Sequence, residues 1–426
     1  MKSATILLKD RLDKVHIIKT DIDIPLRQFL KINYIPQDSV ISYVNGEIVD
    51  DQTYIINKND KIVLDMVRAY QLPEYCRTLR LWEDSGVETT KENADSIYTK
   101  RILWFNDNGI CDLKESQFDK DSFVNYIDDM FVQGVLEKNL ITSGDKIVLA
   151  LSGGRDSLAL LYLLRRNKDK LPIHDLIGVT VADTAASSED VNVATEAIIT
   201  LGVKDYTILP LEYINKTMNF KHGFEHAIEK VLVTEGRGHS ITLWHHIMRA
   251  CIEKFARERN TYNISFGYHF EDLFTSIFRT YILGTLLGES VPLKTWGEFT
   301  HVSPLWTITK KELTLYLKFV APERHSKQGS PTDYDRGDHN RDINYFIADL
   351  LSGVWPGLGF NFFESLERLT KNYAIARPKY DVCNNCGITY THAYGDDTDN
   401  RKYKHVCSHC SYLIEVGEIS LVRKVN

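Results

Sequence analysis

The clearest pattern in the chain is an unbroken apolar run, Ile147-Val148-Leu149-Ala150-Leu151, that stops abruptly at Ser152-Gly153-Gly154-Arg155-Asp156-Ser157 and resumes as a second run from Leu158 to Leu164. Five apolar residues without alternation predict a strand buried on both faces, and the run after the polar turn predicts a helix. Similar strand-length runs follow at 176–182 (LIGVTVA), 206–210 and 262–266. Helical stretches lie between them at 191–201 and 242–257, whereas 212–240 has no clean period until a helical spacing begins near Gly223. Ahead of the central strand, Phe123, Ile127, Met130 and Phe131 fall at i, i+4, i+7 and i+8, which predicts an amphipathic helix over 122–136. Strands alternating with helices predict an α/β fold with a doubly wound parallel sheet.

The ends of the chain carry different patterns. Residues 4–8, 15–19, 40–44, 48–50 and 61–67 have strand character, and Leu26, Phe29 and Leu30 give 24–32 a helical spacing. Asn45-Gly46 between two of the strands is a hairpin signal. Residues 100–114 predict a second hairpin, turning at 106–109. Residues 389–391 and 412–415 predict two short strands near the C-terminus. Four units result: 1–68, 69–115 as a linker, 116–375 and 376–426.

Composition narrows the function classes. A chain of 426 residues, 43% hydrophobic and 26% charged, is ordinary globular material for two or three domains. No apolar run is long enough for a membrane helix, and the N-terminus becomes charged too soon for a signal peptide, so a cytoplasmic location is expected. The net charge of −7 gives no whole-molecule attraction to nucleic acid. The basic runs at 165–170 and 401–405 are either a local basic face or solvated surface. Seven cysteines, an odd number, argue against a disulfide framework. Four of them form Cys383-x-x-Cys386 and Cys407-x-x-Cys410, the spacing of a four-thiolate site for structural Zn²⁺, with a redox pair as the alternative.

The turn at 152–157 has the chemistry of a phosphate site. The first N–H groups of a helix lack intrahelical partners and carry the positive end of the dipole. Gly153 and Gly154 admit close approach of an anion, and Ser152 and Ser157 supply hydroxyls. The bland alternative is a glycine turn with no ligand. No G-x-x-x-x-G-K-[ST] is present, which excludes a Walker loop. The order SGG-x-DS resembles the PP-loop of the ATP pyrophosphatase superfamily, whose members release AMP and pyrophosphate. The stretch GYHFEDLFTSIFRTYILG at 267–284 resembles that superfamily's GHNxDDxxxTxxxxxxxG, with Tyr268, His269, Glu271 and Ser276 as departures.

The resemblance implies ATP and Mg²⁺ as ligands. It makes Asp156, Asp272 and Glu271 the catalytic or Mg²⁺-side carboxylates, and Ser152, Gly153, Gly154, Arg155, Asp156, Ser157, Asp183 and Gly267 the nucleotide contacts. A plain helix cap is the alternative for Asp183. The TKKELTLY segment from Thr309 resembles a later element of tRNA-modifying members; a surface helix is the expectation there, with phosphate contact by Lys310 or Lys311 the alternative. The N-terminal unit resembles β-grasp, ubiquitin-like sulfur carriers, but no Gly-Gly terminus follows it. It is expected either to dock a sulfur carrier or other partner, to grip substrate, or to be structural.

Three functions compete. The first is tRNA thiolation by adenylation and sulfur transfer. In that group, cysteines on the helix before GHNxDD hold an iron–sulfur cluster or persulfide; the matching positions here are Thr242 and His245, with only Cys251 on the helix. The second is an amide- or lysidine-forming ligase acting on tRNA or a small metabolite, with His245, His246, Tyr268 and His269 lining the pocket. The third is a non-catalytic ATP-binding scaffold.

Overall fold

The computed structural model describes residues 3–9, 15–21, 23–33, 35–67, 96–105, 111–183, 188–282, 291–326, 339–355, 357–372, 380–391 and 403–422. The linker residues 68–95, the turn 106–110, Thr184 and the polar stretch 327–338 lie outside these.

The central sheet holds β8 (Asp145–Ala150), β9 (Ile173–Val181), β10 (Asp205–Leu209), β11 (Asn263–Ser265), β12 (Leu293–Trp296) and β13 (Phe299–Val302). Its order is β10-β9-β8-β11-β13-β12, all parallel except the edge strand β12. The unbroken run at 147–151 has its explanation here. Ile147 and Leu149 face one buried cluster, and Val148 faces the other. Both faces are covered because crossover helices pack on both. On the first face lie α2 (Lys120–Glu137), α3 (Arg155–Arg166), α4 (Ser188–Thr200), α8 (Phe270–Ile282) and α9 (Lys310–Val320). On the second lie α5 (Leu211–Met218), α6 (Phe224–Glu235) and α7 (Arg237–Glu258). Strand order runs outward from β8 in both directions, so the switch point is at its carboxyl end, where an open α/β sheet binds ligands.

The N-terminal unit contains β1 (Ser3–Lys9), β2 (Val15–Asp21), α1 (Leu26–Ile32), β3 (Val40–Val44), β4 (Glu47–Ile48) and β5 (Ile62–Met66). Its sheet order is β2-β1-β5-β3-β4, with β1 parallel to β5 and the other pairs antiparallel, which is β-grasp order. Leu26, Phe29 and Leu30 of α1 fill its core. A separate hairpin, β6 (Tyr98–Phe105) with β7 (Cys111–Phe118), leads into α2, which Asp119 and Ser122 close with a reciprocal capping box. After α9 come α10 (Pro322–Ser326), α11 (His339–Val354) and α12 (Leu358–Asn372), then β14 (Tyr380–Val382), β15 (Thr389–Thr391) and α13 (Ser408–Glu415).

Two expectations are corrected. The segment 412–415 is helical, not a strand: Cys407 caps α13, its sulfur accepting the Cys410 N–H at 3.5 Å, so the second Cys-x-x-Cys opens a helix. The TKKEL helix is not at the surface. Residues Lys311 to Leu317 of α9 are all buried, because α9 lies between α3 and the N-terminal unit. Among the described residues, no helix is long and apolar enough to cross a membrane.

Candidate functional site

The turn after β8 is shaped by one contact. Gly153 has φ +79°, and a Cβ there would stand 2.2 Å from the Asp190 carbonyl oxygen at the start of α4. Only glycine fits. Gly154 is the N-cap of α3, with no side-chain cap on the helix. The hydroxyls brace the turn: Ser152 Oγ accepts the Gly154 N–H at 3.2 Å, and Ser157 Oγ accepts the Ser152 N–H at 3.3 Å while donating to the Gly154 carbonyl at 3.0 Å. Gly267, after β11, backs onto the same turn, because a Cβ on it would meet the Ser157 nitrogen at 2.8 Å. The two motifs that are 110 residues apart in sequence therefore touch at the switch point. Arg155 lies near Tyr43 of the N-terminal unit, where burial pushes the phenol up to about 12 and Arg155 opposes that shift.

Carboxylates gather on one side. Asp156, on the first turn of α3, is bound through both oxygens by the Lys310 ammonium. The Lys310 N–H donates to Glu271 at 3.0 and 3.1 Å. Glu271 is 1% exposed and also faces His269 Nδ1 at 2.9 Å, so it caps the N-terminus of α9. Asp272 is more open. It accepts the His269 N–H at 3.2 Å and the Tyr345 hydroxyl, and it lies 3.2 Å from His269 Nε2. Burial alone would lower the His269 pKa, but Asp272 and Glu271 override it and raise it, which favours the imidazolium between two carboxylates. Asp183, at the end of β9, accepts Trp244 Nε1–H from α7 at 2.6 Å. Tyr268 is 39% exposed and stacks on Phe266.

A second cluster holds sulfur. Cys383, Cys386, Cys407 and Cys410 are buried and unbridged. His246 of α7 joins three of them: the ligand atoms of His246, Cys386, Cys407 and Cys410 all lie within 4.8 Å of one another. The Cys386 and Cys407 sulfurs are 3.9 Å apart, with His246 Nε2 at 3.7 and 3.4 Å from them. Cys383 adjoins them through the Cys407 N–H at 3.4 Å. Four buried thiols this close cannot all ionise without a cation: burial raises Cys386, and contact with Cys383 raises Cys410. The arrangement is a Cys/His cluster with the donor set and spacing to hold a metal ion. Arg249 and Glu253 of α7 bond the backbone of Thr389, fixing the cluster's frame to the α/β core.

Two residues stand in other roles than the sequence suggests, and a third has no sequence signal. Lys310, with phosphate contact only the alternative to a surface helix, pairs with Asp156; a lysine at the first position of a helix opposes the macrodipole and so signals another partner. His246, one of two adjacent histidines expected at the pocket, lies instead against the sulfurs. Tyr345 carries no local signal.

Comparison with known proteins follows the same lines. The chain is 30% identical over 192 residues to the tRNA-cytidine(32) 2-sulfurtransferase of Aeromonas hydrophila subsp. hydrophila, covering 44% of this chain and 59% of that protein. It is 22% identical over 289 residues to a probable sulfurtransferase of Methanocaldococcus jannaschii, covering 67% and 79%. It thus spans less than two thirds of the length of the first of these. Among solved structures, the U34-tRNA thiolase NcsA from Methanococcus maripaludis, with its 4Fe–4S cluster, superimposes with a TM-score of 0.53 at 20% identity, covering 72% of this chain and 93% of that one. That is a likeness of fold. No protein-family profile matches the chain.

Proposed function

We propose that this chain, a member of the PP-loop ATP pyrophosphatase superfamily, activates a carbonyl oxygen of a tRNA base by adenylation and exchanges that oxygen for sulfur. The observation that carries the proposal is the meeting of Gly153-Gly154 and Gly267 at the carboxyl end of β8, beside Asp156, Lys310 and Asp272. The backbone amides of residues 153–157, with Arg155 beside them, hold the pyrophosphate end of ATP. Lys310, held against Asp156, adds its positive charge beside that end of the nucleotide. Mg²⁺, when bound, neutralises that end of the nucleotide; Asp156 and Asp272 are the residues to hold it, while Glu271 keeps α9 in place. Asp183 lies at the nucleotide rim, positioned by Trp244.

The base oxygen attacks the α-phosphate and expels pyrophosphate. A sulfur nucleophile at the sulfide level then attacks the activated carbon, and AMP leaves with the oxygen. The exchange is redox-neutral. Cys251 does not supply the sulfur: it is wholly buried in the core and burial pushes its thiol up to about 12. Among the cysteines whose side chains are described, Cys251 is the one outside the Cys/His cluster, and on this reading the sulfur comes from outside the chain, as sulfide or on a carrier. The same observation favours a second reading, in which an amine displaces AMP and the product carries nitrogen.

The metal in the Cys/His cluster is a single Zn²⁺. A tetrahedral ion with Zn–S bonds of about 2.3 Å sets its sulfurs about 3.8 Å apart, close to the 3.9 Å between Cys386 and Cys407. An iron–sulfur cluster would spread its cysteines by the additional iron–iron edges. With four thiolates filling the ion, its role is structural, and His246 supplies an N–H to the sulfurs from α7.

The test is to incubate the protein with Mg-ATP, unmodified tRNA and either sulfide or ammonium, then digest the RNA and weigh the nucleosides. A thionucleoside formed only with ATP and sulfide supports the proposal. An aminated nucleoside, formed with ammonium alone, replaces it with the second reading.

A further inference from the structure

We infer that the N-terminal β-grasp unit is part of the framework of the reaction centre: through Lys310-Lys311 on α9 and Tyr345-Phe346 on α11, it fixes where the carboxylates of Asp156 and Asp272 stand. This rests on the assignment of Asp156 and Asp272 as the nucleotide-side carboxylates.

The same device occurs twice. On α9, Lys310 holds both oxygens of Asp156, and the next residue, Lys311, reaches the opposite way into the N-terminal unit. Its ammonium donates to Asp51 at 2.7 Å and to the Gln37 carbonyl at 3.1 Å. Lys311 and Asp51 are 4% and 3% exposed. On α11, Tyr345 donates its hydroxyl to Asp272, and the next residue, Phe346, is buried in the N-terminal core with Leu26, Phe29 and Leu30. Neighbours on a helix point about 100° apart, so one turn of helix can face a carboxylate and the N-terminal unit at once. A shift of either helix relative to that unit moves a carboxylate's partner by the same amount.

A third attachment removes the slack. Glu312, fully buried, caps α9 through Thr309 and also binds Lys100 at 2.8 Å and the Tyr98 hydroxyl at 2.9 Å on β6. Thr99 of the same strand and Ser96, two residues ahead of that strand, bind Asp50, the neighbour of Asp51. The start of α9 is thus clamped between the hairpin and the N-terminal unit. A loosely appended domain would meet the core through exposed, solvated contacts. This one meets it through a buried ion pair, which is strongly destabilising to break and offers no advantage over apolar packing unless geometry matters.

The roles are those of positioning residues, and the measurement is the gain in ATP affinity that Mg²⁺ confers, by calorimetry with and without the cation. Asp272→Asn is the reference. Tyr345→Phe keeps the ring and removes only the hydroxyl. Asp51→Leu with Lys311→Met replaces the buried pair by apolar residues without touching the site. Both variants are expected to lose about tenfold of the Mg²⁺-conferred affinity and to bind ATP in EDTA as the wild type does, with Tyr345→Phe melting as the wild type does. Should the pair variant fail to fold, Phe346→Leu takes its place with the same expectation. If Asp272→Asn itself leaves the gain unchanged, the assignment of the carboxylates fails and the inference with it. If Asp272→Asn lowers the gain while Tyr345→Phe and the N-terminal variants keep it, the inference alone is overturned.

Discussion

Gly153→Ala is the sharpest perturbation of the turn, because its cost has two separable parts. The first is backbone conformation: at φ +79° an alanine pays about 1–2 kcal/mol that glycine does not. The second is contact. The new Cβ would stand 2.2 Å from the Asp190 carbonyl oxygen, where ordinary contact begins at 3.4 Å, and the obstacle is backbone that cannot rotate away. Either α4 retreats from the turn or the turn deforms, an overpacking cost of about 1–3 kcal/mol. The sum is roughly 2–5 kcal/mol, with the displaced amides no longer converging on an anion. Two controls divide it. Gly46→Ala has φ +94° with nothing within 4 Å, so it carries the conformational part alone. Gly154→Ala has ordinary φ and meets only Ser152 Oγ at 3.2 Å, so its stability stays close to wild type. Urea midpoints followed by fluorescence and ATP affinity by equilibrium dialysis give both quantities. A Gly153→Ala protein with wild-type midpoint and wild-type affinity would refute the cradle as described.

Three further outcomes are expected. Asp156→Ala abolishes AMP formation, by a hundredfold or more on the order of magnitude for a lost charge-stabilising group, while circular dichroism stays unchanged; full turnover would remove Asp156 from the site. Metal analysis of protein purified without added metal finds about one Zn²⁺ per chain and no iron, and Cys410→Ser lowers the zinc content; iron at zinc's expense would reverse the assignment. Asp38, which lines a cavity with Phe270, Trp306 and Thr307 between the N-terminal unit and the core, has its pKa raised by burial from 3.8 to about 6. A raised carboxyl favours the folded state while protonated, and that contribution is lost as pH rises from about 4 through 6. Asp38→Asn is therefore more stable than wild type at pH 8, by up to about 3 kcal/mol, and the gap closes near pH 4; a gap that widens on acidification would contradict the sign.

What the sequence made legible follows from where the signal is local. The buried strand at 147–151, its glycine turn and the helix after it are contiguous, so periodicity and turn chemistry determine them together. In the N-terminal unit, one hairpin and the helix were legible from Asn45-Gly46 and the spacing of Leu26, Phe29 and Leu30, whereas the arrangement of its strands was implied only by the resemblance to β-grasp carriers. The paired Cys-x-x-Cys motifs announce a metal-site spacing, although the helix capped by Cys407 reads as a strand in sequence because Tyr412, Leu413 and Ile414 have strand character out of context. The burial of α9 was not legible. Its two lysines suggest solvent, and only the fold brings Asp156 to one and Asp51 to the other. Likewise nothing near Tyr345 announces Asp272, 73 residues away, and nothing near His246 announces the sulfurs, which lie on a segment at least 137 residues downstream.

The central claim is that the turn after β8 supports cleavage of ATP between its α- and β-phosphates. The most direct measurement is to supply ATP labelled at the α-phosphate, with Mg²⁺, tRNA and sulfide, and to separate the labelled products. The account predicts labelled AMP, with an equal yield of pyrophosphate, formed only when tRNA is present. Labelled ADP with inorganic phosphate would contradict it.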